Sequence, residues 1–297
     1  MNRIGLHYNY WNGTGVEKDL YKALELTEKA GADVFEFGSA DVLRMTKAER
    51  ASLKKRMMDK GITPSVNGGA PPDWDMASAD LVFRSQSVDA YKRTADAISE
   101  TGSPIWSGVI YSRWLRLPDG PVSYEEKQQT LDIALASLRE LVGTLADCNL
   151  VCCFEIVNRY EQFLLNTAKE GVEFTDRLDS PYGKLLLDTF HMNIEEDNMA
   201  DAIRYAMTYG RLGHVHVGES NRRLPGIGKT QIDWREFFSA VRESGYQGFI
   251  TLEPMVLMGT PFARKVNVWR DMADRSLAAM LDDARNSIQF IRKQIQL

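Results

Sequence analysis

Residues 185–197, LLLDTFHMNIEED, set three leucines against an aspartate and a histidine three residues apart. The leucines read as a buried strand. A core strand does not ordinarily end on a charge and an imidazole, so Asp188 and His191 have to face something other than packed hydrocarbon. What stands beside that strand decides the fold.

On either side the same pattern repeats. Short apolar runs read as strands: RIGLHYNY (3–10), ADVFEFG (32–38), ITPSVNG (62–68), PIWSGVIYS (104–112), LVCCFEIVN (150–158), KLLLDTF (184–190), RLGHVHVGE (211–219) and GFITLEP (248–254). Between them lie amphipathic segments such as 16–31, 46–61, 123–148 and 233–245. Three of these close on glycine, the usual helix stop. Asp233 opens the segment that ends at Gly245, as an N-cap. Eight strands alternating with eight helices, joined by short connections, predict parallel strands with crossover helices. On 297 residues that predicts one closed (β/α)8 barrel, a TIM barrel, spanning 1–297 as a single domain. A doubly wound open sheet is the competitor, but no GxGxxG follows the first strand.

Composition narrows the function. Lys plus Arg total 36 against 41 Asp plus Glu, a net charge of −5, which gives no electrostatic reason to expect nucleic acid or a membrane surface. No run approaches the ~20 apolar residues of a membrane span. Cys148, Cys152 and Cys153 are an odd, clustered set, read as reduced thiols in a cytoplasmic protein.

Barrel sites sit at the C-terminal ends of the strands. The last ligand-type residues of strands five to eight are Glu155, Asp188, His216 and Glu253, separated by 33, 28 and 37 residues. Each interval is about one βα unit, so the four belong on neighbouring strands of one rim. Three carboxylates gathered in an apolar barrel would repel strongly without a cation. Their oxygen-rich set with one imidazole suits Mn²⁺, with Co²⁺ or Mg²⁺ as alternatives. His214, two residues before His216, is expected deeper on the same face as a packed, hydrogen-bonded histidine. Glu195, Glu196 and Asp197 are expected to open the sixth helix, where acids favour the positive end of the dipole. GIGK at 226–229 lacks the P-loop pattern and reads as a turn.

With these residues in hand, the chain resembles the ketose 3-epimerases, the D-tagatose 3-epimerase and D-allulose (psicose) 3-epimerase family. The resemblance rests on EIVNRYE (155–161), LDTFHMNIEED (187–197), GHVHVGESNRRLPGIG (213–228), LEPM (252–255) and VWRDM (268–272), with weaker matches in HYNYW (7–11) and YSRW (111–114). It implies a (β/α)8 barrel with one divalent metal on Glu155, Asp188, His216 and Glu253. It further implies that Glu155 and Glu253 double as the catalytic proton-transfer groups, and that Glu161, His191 and Arg222 hold the O1–O3 end of a ketose. His7 stands where relatives carry Phe or Tyr in the wall around the distal part of the sugar, and adds a polar handle there. Trp114 and Trp11 keep the expected aromatic character. The implied reaction inverts C3 through a cis-enediolate, one glutamate removing the proton and the other returning it to the opposite face. A homodimer or homotetramer is implied as well. The rivals are an aldose–ketose or hydroxypyruvate-type isomerase on the same scaffold, an endonuclease IV-type repair enzyme, which needs more histidines than the four present, and a non-catalytic sugar binder.

Overall fold

The structure is a computed structural model that describes residues 2–69 and 74–297. Its eight strands are β1 (Ile4–His7), β2 (Val34–Gly38), β3 (Thr63–Asn67), β4 (Ile105–Gly108), β5 (Val151–Ile156), β6 (Gly183–Asp188), β7 (Leu212–Val217) and β8 (Ile250–Leu252). They pair in chain order, all parallel, and β8 returns to β1 to close the barrel. Among the described residues seven crossover helices connect them, and an eighth helix, Leu277–Gln296, follows β8. Short helices at Ser39–Arg44, Thr189–Glu195 and Pro261–Lys265 precede three of these eight helices. No helix among the described residues is long and apolar enough to cross a membrane.

Local signals set the helix boundaries. Thr46, Ser123 and Thr167 each form a capping box with a glutamate three residues on, which satisfies orphan N–H groups at the helix start. The Asp233 carboxylate accepts from Glu236 N–H, the expected cap. The first amphipathic segment begins later than its periodicity suggests. Val16–Lys18 is a 3-10 turn, and Asp19 caps the helix proper at Leu20–Ala30. The first strand likewise stops at His7, where the imidazole Nδ1 accepts from Asn9 N–H and turns the chain into the 3-10 segment Tyr8–Trp11.

The acids at 195–197 do not open the sixth crossover helix. That helix is Met199–Thr208, capped by Asn198. Glu195 ends the short helix Thr189–Glu195 and pairs with Arg159. Glu196 reaches across to accept from Ala168 N–H at 2.6 Å, serving the start of a neighbouring helix instead.

The barrel interior is layered. Ile105, Cys153 and Leu186, with Val151 and Phe249 against them, form a small apolar plug. Above it lies a polar layer of Glu36, Ser65 and His214. Above that open the strand ends. The larger core fills the space between barrel and helices. All three cysteines are free thiols.

Candidate metal centre and sugar site

The site begins with strand register. Glu155 on β5 pairs alongside Leu186, so Leu186 and then Asp188 share its inward face. At β6–β7 the register slips by one: Leu185 pairs with Leu212, but Leu186 pairs with His214. Gly213 is the extra residue. Without that step Asp188 would lie beside Val215 and both histidines would point outward. With it, Asp188 lies beside His216 and both face in. Only a glycine fits the step, because an added Cβ would stand 2.6 Å from Lys184 Cβ and 2.7 Å from Cys153 Sγ.

One ligand atom from each of Glu155, Asp188, His216 and Glu253 lies within 4.8 Å of every other, and all four residues are buried. His191 joins them because it sits one helical turn after Asp188, on the same side of the chain. This is why the opening stretch carries an aspartate and a histidine three apart. The backbone N–H of Asn158 donates to His191 Nδ1 at 3.1 Å. The ring proton therefore belongs on Nε2, which lies 3.5 Å from Glu155 Oε1.

Arg222 projects from a tight loop after β7 in a left-handed backbone conformation, φ +65°. Such strain costs on the order of 1–3 kcal/mol. The loop is held by buried Glu219, whose carboxylate accepts from Trp234 Nε1 at 3.0 Å and Thr230 Oγ1 at 2.7 Å. The Arg222 guanidinium lies 3.8 Å over the Phe190 ring and donates to Asp188 at 3.0 Å and Glu253 at 2.9 Å. Its other nitrogen is 3.6 Å from Glu161. Glu161 in turn accepts from Trp114 Nε1 at 2.8 Å. Trp114 thus orients a site carboxylate as well as lining the cavity. Trp11 is fully buried against Tyr10. His7 lines the cavity but is only 2 % exposed, and its Nε2 is enclosed without a hydrogen-bond partner.

Glu155, Glu161, His191, Arg222 and Glu253 floor a cavity of about 590 Å³ at the C-terminal mouth of the barrel, with Trp74, Trp114 and Phe262 on its walls. That is ample for a small polar ligand. Burial pushes the Glu155 carboxyl up; the Glu253 charge adds to the rise and the His191 hydrogen bond opposes it. Burial acts likewise on Glu253, but His216 and Arg222 outweigh it and hold that carboxyl well below the usual range.

The donors fit a divalent cation. His216 Nδ1 is buried without a hydrogen-bond partner and lies 3.5 Å from Glu253, while its Nε2 is engaged elsewhere. With Nε2 engaged, Nδ1 is the atom His216 offers to the three carboxylates, and that donor set suits a hard or borderline divalent ion.

Three residues of the site escaped the reading of strand ends. Asn158 and Glu219 lie inside the motifs EIVNRYE and GESNR but act by orienting others. Glu36 had one visible signal, a lone charge in the middle of the apolar strand VFEFG.

The chain matches the xylose isomerase-like TIM barrel family over residues 24–293. It is 34 % identical to a D-psicose 3-epimerase of Enterocloster bolteae, covering 98 % of this chain and 95 % of that one. It is 31 % identical to an L-ribulose 3-epimerase of Mesorhizobium japonicum, over 92 % and 88 %. The crystal structure of D-psicose 3-epimerase with D-tagatose, from Clostridium cellulolyticum, superposes with a TM-score of 0.89 at 31 % identity, covering 99 % of both chains. A barrel closed in this order, with carboxylates and imidazole gathered at its mouth and relatives matched end to end, makes the chain a member of the ketose 3-epimerases, isomerase-class enzymes within the xylose isomerase-like TIM barrel family.

Proposed function

We propose that this chain is a divalent-metal-dependent 3-epimerase of free ketoses, exchanging pairs such as D-tagatose/D-sorbose, D-fructose/D-allulose or ribulose/xylulose. Glu155, Asp188, His216 and Glu253 hold the cation, with Mn²⁺ the expected ion and Co²⁺ or Mg²⁺ as alternatives. One observation carries the reading: Glu155 and Glu253, from strands three apart around an eight-stranded ring, line the same cavity while sharing the ligand cluster with Asp188 and His216.

A bound divalent cation supplies Lewis acidity, drawing electron density from the sugar carbonyl and stabilising negative charge beside it. The protein's own groups move the protons. One glutamate takes the proton from C3 on its face, and the other delivers a proton to the opposite face. The His191 Nε2–H and the Arg222 guanidinium donate to oxygens at the O1–O3 end, where negative charge develops. Glu161 accepts from a hydroxyl at that end, steadied by Trp114. His7 and Trp114 belong to the wall around the rest of the sugar. Assembly as a homodimer or homotetramer belongs to the same reading.

The test is incubation of the protein with D-fructose and with D-tagatose plus Mn²⁺, products followed by chromatography, with and without a chelator. The expected products are the C3 epimers, lost with chelator. An aldose product would favour the aldose–ketose isomerase instead, and unchanged sugar would favour a binding protein.

A further inference from the structure

Glu36 is a carboxylate with no solvent exposure, on β2, in the polar layer beneath the mouth. Burying such a charge is costly unless hydrogen bonds compensate. Here three do. The Ser65 hydroxyl donates to its Oε2 at 2.5 Å. His214 Nε2 lies 2.8 Å from the same oxygen, and His216 Nε2 lies 2.6 Å from Oε1. The carboxylate spans the barrel from β2 to β7 and holds two imidazoles side by side, their rings 4.7 Å apart.

Glu36, His214 and His216 also cluster closely enough to suggest a second cation site. The distances argue against it. Both nitrogens already stand at hydrogen-bond separation from the Glu36 oxygens, which leaves no room for an ion between them. The cluster is a hydrogen-bonded brace.

An ionised carboxylate only accepts. The His216 nitrogen facing Glu36 therefore carries a ring proton, which leaves Nδ1 as the nitrogen that can give its lone pair to a cation. That is the atom without a partner, aimed at the ligand cluster. Because Ser65 and His214 fix the other Glu36 oxygen, the carboxylate cannot rotate away from His216.

We propose that Glu36 is a positioning residue for the metal centre: through His216 it fixes which nitrogen faces the cation and holds the ring in place, with Ser65 and His214 locking the carboxylate itself. This rests on the reading above that His216 and its three carboxylate neighbours hold a divalent ion. Glutamine at this place offers one acceptor oxygen and one donor amide, so it cannot accept from both imidazoles, and it removes the negative charge behind His216.

The experiment compares native protein with Glu36→Gln and Ser65→Ala, measuring Mn²⁺ affinity by calorimetry and melting temperature with and without Mn²⁺. Loss of a partner behind a ligating histidine weakens metal binding about 10–100-fold, the result expected for Glu36→Gln, with a shrunken Mn²⁺-dependent rise in melting temperature. Ser65→Ala deletes one hydrogen bond to the same carboxylate and is expected to weaken Mn²⁺ about two- to tenfold; it carries the test if Glu36→Gln does not fold. A merely structural Glu36 would lower both melting temperatures equally and leave Mn²⁺ affinity within twofold of native, which overturns the proposal. A native protein that binds no Mn²⁺ overturns the metal reading as well, and the native arm separates the two failures.

Discussion

Glu155 has two duties in this account, and they can be separated. As a ligand it offers oxygen; as a proton carrier it needs an ionisable carboxyl. Glu155→Gln keeps the oxygen and loses the proton chemistry, so turnover is expected to fall by about 10²–10⁴-fold while Mn²⁺ binding survives. Asp188→Ala removes a ligand outright and also strips Arg222 of one carboxylate partner, so its Mn²⁺ affinity is expected to fall further than that of Glu155→Gln. Calorimetry and initial rates on the two variants check the order; near-normal epimerisation by Glu155→Gln would refute its catalytic role. The strand-end ligands were legible in the sequence because four such residues close four consecutive apolar runs, each about one βα unit apart. Glu36 was not. It sits in mid-strand, where its function depends on histidines some 180 positions away that only barrel closure brings near.

Elements decide whether the right residues face inward. The eight strands and the helices between them could be read from alternation, and Asp233 marked one helix start. What period alone could not reveal was the step at Gly213, since a one-residue shift in register leaves no trace in a single strand's hydrophobic pattern. Its consequence is testable. Gly213→Ala pushes a methyl against Lys184 and Cys153 and is expected to destabilise the fold by about 1–3 kcal/mol. Because β7 carries His216 just beyond, Mn²⁺ affinity is expected to fall too. Thermal melting with calorimetry measures both; an alanine variant with native stability and native metal binding would show that the step tolerates a side chain. The misread acids at 195–197 have a related cause: Glu196 caps a helix remote in sequence, a contact made by tertiary packing.

At the scale of the whole molecule, ring closure places β5 and β8 so that Glu155 and Glu253 look into one cavity. Length and strand count were enough to predict that closure, and the closure turns four separated residues into one site. The substrate's distal end was less legible, because that wall is built from loops whose courses depend on each other: His7 spends its Nδ1 on a turn, and Trp114 spends its indole N–H on Glu161. The central claim is that two different carboxylates serve the two faces of a single sugar carbon. Its most direct test is the Mn²⁺-loaded enzyme turning over D-fructose in D₂O, with early product examined by NMR. The account predicts D-allulose carrying deuterium at C3 from its first turnover, while recovered D-fructose keeps its protium; C3 product without solvent label, or label at C2 of an aldose, would contradict it.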